Sequence, residues 1–137
     1  MDNIGGKFGL IGIVSIFYLA IRPGLILVVD QMKASGKKLP DPLKKIYQFV
    51  NKTHRYAGFV AVGAVILHFT LQYAKFEIVS IPGLIAAMVL MLQAVLGFGL
   101  TKQKNKERRK KMVLSHRVLG VILVLAVLNH RIFRLGS

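Results

Sequence analysis

The sequence predicts an all-α membrane protein, a membrane four-helix bundle with four transmembrane spans. More than half of the 137 residues are apolar, and the mean hydropathy is +0.56. The apolar residues form long blocks instead of the short alternation that is typical of half-buried strands. Each block has about the twenty residues that a helix needs to cross a bilayer. A chain of this length is expected to form a single domain, residues 1–137.

The predicted spans follow the four apolar blocks in order. They cover residues 8–29, 54–74, 78–100 and 112–133. The first contains Arg22-Pro23-Gly24, and proline removes a helical hydrogen bond, so we expect the helix to kink or end there.

Turn and capping residues predict where the later helices begin. Asp41 is the expected N-cap of the second helix, with Pro42 at its first helical position. That helix should therefore begin well before His54, which places this histidine inside a formed helix. Asn105 is the expected cap of the fourth helix.

The positive charge is concentrated in two regions of the chain. The formal net charge is +15, and most of the basic residues lie in segments 33–55 and 102–117. In a four-span chain these segments fall on one side of the membrane, which the positive-inside rule assigns to the cytoplasm. Both termini are then outside. We expect a multi-pass protein of the cell membrane, most simply a prokaryotic inner membrane, whose basic segments contact membrane lipid and no nucleic acid.

The absence of cysteine limits the chemistry. It excludes covalent haem attachment through C-x-x-C-H, iron–sulfur ligation and thiolate zinc sites. No glycine-rich phosphate loop follows a strand, so no nucleotide-binding domain is predicted. A redox function would need a non-covalent cofactor and a partner that supplies or accepts electrons.

The four histidines form two pairs with one spacing. His54 and His68 are fourteen positions apart, as are His116 and His130. Fourteen residues advance a helix by about 21 Å and almost four turns, so both members of a pair lie on one face. The second and fourth spans run in the same direction. His54 is therefore expected to face His116 near the cytoplasmic surface, and His68 to face His130 near the outer surface.

The second and fourth spans also repeat one another around these histidines. Both contain [Ser/Thr]-His-Arg-x-x-Gly, starting at Thr53 and at Ser115, and each pattern is followed at the same distance by its second histidine. Facing helices of a bundle often hold a cofactor between inward side chains. Two imidazoles fill both axial positions of a haem iron, which favours electron transfer. The pattern predicts two b haems stacked across the bilayer, with the iron ligands His54 and His116 inside and His68 and His130 outside, and no catalytic residue.

Glycines and arginines near the histidines are further candidates for cofactor binding. Glycines leave room for a porphyrin, and arginines in a membrane need an anionic partner such as a haem propionate. The candidates are Gly58, Gly120, Gly83, Gly97, Arg22, Arg55, Arg117 and Arg131. The alternatives are that small residues promote helix packing in lipid and that arginines extend to lipid headgroups.

The histidine patterns resemble a known group of membrane proteins. The segment 51–76, with His54-Arg55-x-x-Gly58 and His68, resembles the core of ferric-reductase-like transmembrane domains, and the segment from His116 to His130 is similar to their second ligand helix. The arrangement is also similar to the four-helix haem core of respiratory cytochrome b. With four spans and no nucleotide domain, the resemblance implies a minimal two-haem unit.

The predicted function is transmembrane electron transfer through two b haems. The donor would be a quinol, a flavoprotein or another cytochrome, the acceptor would lie on the outer side, and the direction of transfer and the oligomeric state stay open. One alternative is a haem-bearing anchor subunit of a larger quinone-linked oxidoreductase. The other is a haem-free four-helix transporter of metal or protons.

Overall fold

The chain folds into four α-helices, as expected. The computed structural model describes the backbone of residues 4–77 and 79–135, and that part contains no β-strand. The helices are α1 (Ile4–Ala34), α2 (Asp41–Phe76), α3 (Ile81–Lys102) and α4 (Lys106–Leu135). All four are long and apolar enough to cross a membrane. The predicted start of the third span at residue 78 and the chain ends lie outside the described residues.

Helix α1 continues through the segment where an interruption was expected. Pro23 lies inside it, and the helix ends at Ala34, so of the two expected outcomes, a kink or an end at Pro23, the end is excluded. A proline removes one backbone hydrogen bond, but α1 packs along α2 over much of its length. Beside the proline, Arg22 Nε donates to Asn51 Oδ1 of α2 at 2.7 Å. Tertiary contacts of this kind offset the lost hydrogen bond.

The starts of α2 and α4 agree with the sequence to within one residue, whereas α1 begins four residues before its predicted span and α3 begins three residues after. Helix α2 begins at Asp41, and its N-cap position is Pro40, so Asp41 lies in the first turn and is not the cap. A carboxylate in the first turn still interacts favourably with the helix dipole. The cap of α4 is confirmed, because Asn105 Oδ1 accepts from the backbone N–H groups two and three positions later, at 3.0 and 3.1 Å. His54 lies inside α2, as expected.

The helices form a ring in which α2 and α4 lie diagonally. Helix α1 packs closely along α2, and α3 along α4, while the α1–α4 and α2–α3 contacts are fewer. No Cα atoms of α2 and α4 approach within 8 Å in the described chain. The two histidine-bearing helices therefore face each other across the centre of the bundle, where only side chains or a ligand can fill the space between them.

An apolar layer occupies the middle of the bundle. Its buried side chains are Ile16, Ala61, Ala86, Leu90, Leu123 and Val127. Ala61 lies seven residues from each histidine of α2, and Leu123 seven from each histidine of α4. The layer thus separates the two histidine levels along the bundle axis.

The outer surface of the bundle is apolar as well. Large side chains on different helices are about two-thirds exposed or more, for example Val95 at 69 % and Ile132 at 67 %. Among the described residues, no polar or charged side chain is fully buried. An apolar exterior of this extent is stable in lipid and would associate in water.

Candidate functional site

His54 and His116 meet across the centre of the bundle. Their ring centres are 6.4 Å apart and their planes are inclined by 73°. Two imidazoles that bind one metal from opposite sides have ring centres about 6 Å apart, because each metal–nitrogen bond is about 2 Å and the ring centre lies about 1 Å further away. Rotation about those bonds permits any angle between the rings. The separation therefore suits one iron bound between the two side chains.

His54 and His116, which we call the inner histidines after their predicted level, also have ring nitrogens without a partner among the described residues. Nδ1 of His54 and Nδ1 of His116 are both buried, and neither has a hydrogen-bond partner among the described residues. A buried polar atom without a partner costs about 1–3 kcal/mol. An imidazole lone pair is a group that binds metal ions, so these two side chains can hold a metal between them.

His68 is held by the first turns of α1. Its Nδ1 lies 2.7 Å from the carbonyl oxygen of Gly5. A carbonyl can only accept, so Nδ1 carries the proton and Nε2 carries the lone pair. Axial histidines commonly have their other nitrogen fixed in this way. A Cβ at Gly9 would lie 2.9 Å from His68 Nδ1, so the ring occupies a notch that only glycine leaves open.

His130 has a similar environment at the start of α3. Its Nδ1 lies 3.4 Å from Ser80 Oγ. The same hydroxyl caps α3 by accepting from the backbone N–H of Gly83. A Cβ at Gly83 would lie 2.9 Å from His130 Cε1. Gly83 therefore lies beside His130.

The glycines at the inner level have different roles from one another. A Cβ at Gly97 would lie 3.2 Å from His116 Cε1, so Gly97 does lie beside the inner histidine. At Gly120 the neighbouring atom is Gln93 Nε2, at 3.2 Å. That nitrogen donates to the carbonyl oxygen of His116 at 2.8 Å, so Gly120 leaves room for an interhelical hydrogen bond. A Cβ at Gly58 would meet nothing within 4 Å.

Arg22 is the arginine most closely associated with the inner histidines. Besides its hydrogen bond to Asn51, its guanidinium interacts electrostatically with His54 and His116. It also lies within electrostatic range of Arg117. The ion pair found among the described residues joins Lys110 and Glu107 and does not include Arg22. A half-buried guanidinium beside a second cation favours an anionic ligand at this level.

The other three candidate arginines are exposed at the surface. Arg55 lies over the Phe59 ring, with 5.8 Å between its guanidinium carbon and the ring centre. Arg117 and Arg131 are exposed as well. Contact with lipid headgroups, the alternative that the sequence left open, accounts for their exposure without a cofactor.

Polar contacts between α1 and α2 fix the position of the inner site. The hydroxyl of Tyr18 is hydrogen-bonded to that of Thr53, the residue before His54. Thr53 Oγ1 in turn donates to the carbonyl oxygen of Phe49 at 2.8 Å. With the Arg22–Asn51 hydrogen bond, these contacts hold the His54 turn of α2 against α1.

The sequence did not single out several of these neighbours. Three glycines share one face of α1 at an i, i+4, i+7 spacing: Gly5, Gly9 and Gly12. This spacing is the sequence signal that could have identified them. Ser80 precedes a proline-containing helix start, and Gln93 is a polar residue in an apolar span. Neither feature of the sequence identifies the residue that the side chain contacts.

No other set of metal ligands lies together in the part of the chain that the structure describes: it contains no group of three or more His, Cys, Asp or Glu side chains suited to a metal ion. An iron with porphyrin nitrogens as its remaining ligands needs only two protein ligands.

Comparison of the chain with protein-family models, with curated proteins and with solved structures found no match.

Proposed function

We propose that this protein transfers electrons across a membrane through two b haems, each bound by one histidine of α2 and one of α4. The observation that supports this most directly is the facing pair His54 and His116, whose ring centres are 6.4 Å apart at the centre of the bundle. A haem b bound between two imidazoles supplies a one-electron ferric/ferrous couple with both axial positions filled.

The residues around the histidines fit such a cofactor. Gly97 and Gly83 admit the rings of His116 and His130 closely against α3. The Gly5 carbonyl orients His68 and fixes its tautomer. Arg22 supplies a positive charge at the inner level, where a propionate would balance it.

We further propose that the inner level faces the cytoplasm and that both termini lie outside, in the cell membrane of a prokaryote. The basic segments before His54 and before His116 support this orientation through the positive-inside rule. A quinol, a flavoprotein or another cytochrome would serve as redox partner at one of the two levels.

The first test is the haem content of the purified full-length chain. We expect a pyridine haemochrome assay to give two haems b per chain, and a reduced-minus-oxidised spectrum to show a b-type α band. A protein that incorporates no haem during expression with excess haem would overturn the proposal and favour the haem-free transporter. Haem that is reduced only when a copurifying dehydrogenase is present would favour the anchor-subunit alternative.

The two levels should differ in redox midpoint potential, with the outer one lower. The hydrogen bond from His68 to the Gly5 carbonyl makes that imidazole a stronger electron donor, which stabilises ferric iron. Arg22 near His54 and His116 stabilises the less positive ferrous state at the inner level. We expect potentials at least about 60 mV apart, a tenfold difference in equilibrium constant for one electron.

A redox titration followed by visible spectroscopy measures this difference. Arg22→Gln should lower the higher of the two potentials, because it removes the charge near the inner pair. Lys52→Gln is the matched control, since Lys52 is an exposed cation two residues before His54, and it should shift both potentials little. Equal potentials in the wild type, or equal shifts in both variants, would contradict the assignment.

A further inference from the structure

An open groove on α4 combines positive charge with apolar surface. It has a volume of about 420 Å³. We call it the basic groove, and it is lined by Lys106, Arg109, Lys110, Val113, Leu114 and Arg117. These residues recur at intervals of three and four along one face of the helix. The groove therefore runs along the helix axis, from the first residue of α4 into its apolar part.

The charges in the basic groove are largely uncompensated. Glu107 is the acid nearest in sequence, and it reaches Lys110 at 3.5 Å in a pair whose side chains are more than three-quarters exposed. An exposed pair of this kind contributes little energy. Lys106, Arg109 and Arg117 thus leave a concentrated positive potential at the groove, which favours an anionic occupant.

The apolar residues identify the class of that anion. Leu114 is 64 % exposed, and with Val113 it lies between the basic first turns of α4 and Arg117. A soluble phosphate would gain nothing from such side chains, whereas a phospholipid places its phosphate and its first acyl carbons at this boundary. Lysine and arginine at the end of a membrane helix are suited to anionic headgroups.

We propose that the basic groove is a binding site for one anionic phospholipid, with the headgroup phosphate at Lys106 and Arg109 and the acyl chains along Val113 and Leu114. This site uses none of the four histidines. It predicts that the protein selects anionic lipid at one place on its surface, beyond the general attraction of its net charge of +15.

The test measures lipid retained by the purified full-length chain, using native mass spectrometry after equilibration with equal amounts of phosphatidylglycerol and phosphatidylcholine. The wild type should retain phosphatidylglycerol preferentially. Lys106→Gln combined with Arg109→Gln should reduce that preference about 30-fold, since each cation near a membrane surface contributes about fivefold.

The matched control removes the same residue types from the same tract. Lys104→Gln with Arg108→Gln leaves the basic groove intact, and we expect the preference to change less than about twofold. Leu114→Ser keeps every charge and should weaken retention. Equal losses in both double variants would overturn the site, because net charge alone would then explain the selectivity. Full displacement of the lipid by inorganic phosphate, or no effect of Leu114→Ser, would exclude the role given to the acyl chains.

Discussion

Replacement of His54 by alanine is expected to leave about one haem per chain in place of the two proposed for the wild type. The reason is that the rings of His54 and His116 face each other, with their centres 6.4 Å apart, so loss of either removes one of the two proposed ligands of one iron. His116→Ala should give the same value, and the double variant should lose no more than either single one. Pyridine haemochrome content per chain is the measurement.

Variants that combine the two levels test the pairing itself. His54→Ala with His130→Ala removes one ligand from each proposed pair, so this protein should contain almost no haem. Thr70→Ala is the control, because Thr70 is an exposed residue of α2 close to His68, and it should retain both haems. If the His54/His116 double variant lost both haems while the His54/His130 variant retained one, the pairing would be wrong.

Replacement of Gly83 by valine is expected to remove the outer haem and to spare the inner one. A Cβ at this position would lie 2.9 Å from His130 Cε1, closer than such contacts occur in proteins, and valine adds two methyl groups. The imidazole must therefore move out of its notch on α3. Overpacking of this kind typically destabilises a fold by about 1–3 kcal/mol, but the effect on ligand geometry should be larger than the effect on folding.

The matched control for this prediction is Gly63→Val. Gly63 is exposed on α2, and a Cβ there would meet nothing within 4 Å. Helical content by circular dichroism should be the same for both variants, whereas haem content should fall by about one haem only for Gly83→Val. Gly9→Val, which places a Cβ 2.9 Å from His68 Nδ1, should also lower haem content by about one haem, because His68 is the other proposed ligand of the outer haem. Two haems in the Gly83 and Gly9 variants would show that these glycines serve helix packing alone.

Arg22 and the basic groove are different cationic sites near the level of His54 and His116. Arg22 acts toward the centre of the bundle, beside His54 and His116. The basic groove lies on the outside of α4 and begins eleven residues before Arg117. Because Arg117 borders the groove, its predicted role as a propionate partner competes with a role at the lipid surface. Arg22 is thus the better candidate for the inner propionate.

Much of the fold was predictable because its signals are local. The apolar blocks gave the four helices, and the Asn105 side chain capped α4 as expected, since a cap depends only on the next few residues. Pro23 shows where local signals are not enough. Local chemistry predicted a kink or an end of the helix, and α1, which packs against α2, does not end there. A proline's effect on a helix depends on packing that its neighbours in sequence do not reveal.

The candidate site was predictable only in part. The repeat of His54 and His68 in His116 and His130 was visible in the sequence, because a fixed spacing on a helix fixes a face and a depth. The partners of these rings were not visible. Gly5, whose carbonyl binds His68, lies 63 positions earlier, and Gly120 proved to accommodate Gln93 where a place beside a cofactor was expected.

The sequence by itself thus determined the all-α class, the four long apolar helices and the two histidine levels. These follow from helix geometry and from the free energy of burying apolar residues in lipid. Only the tertiary structure decided that α2 and α4 lie diagonally and that the ring centres of His54 and His116 lie 6.4 Å apart. It also decided that Gly9, Ser80 and Gln93 support the histidines or their helices. Contacts between helices depend on how whole surfaces fit together, and no periodicity within one helix specifies the surface it meets.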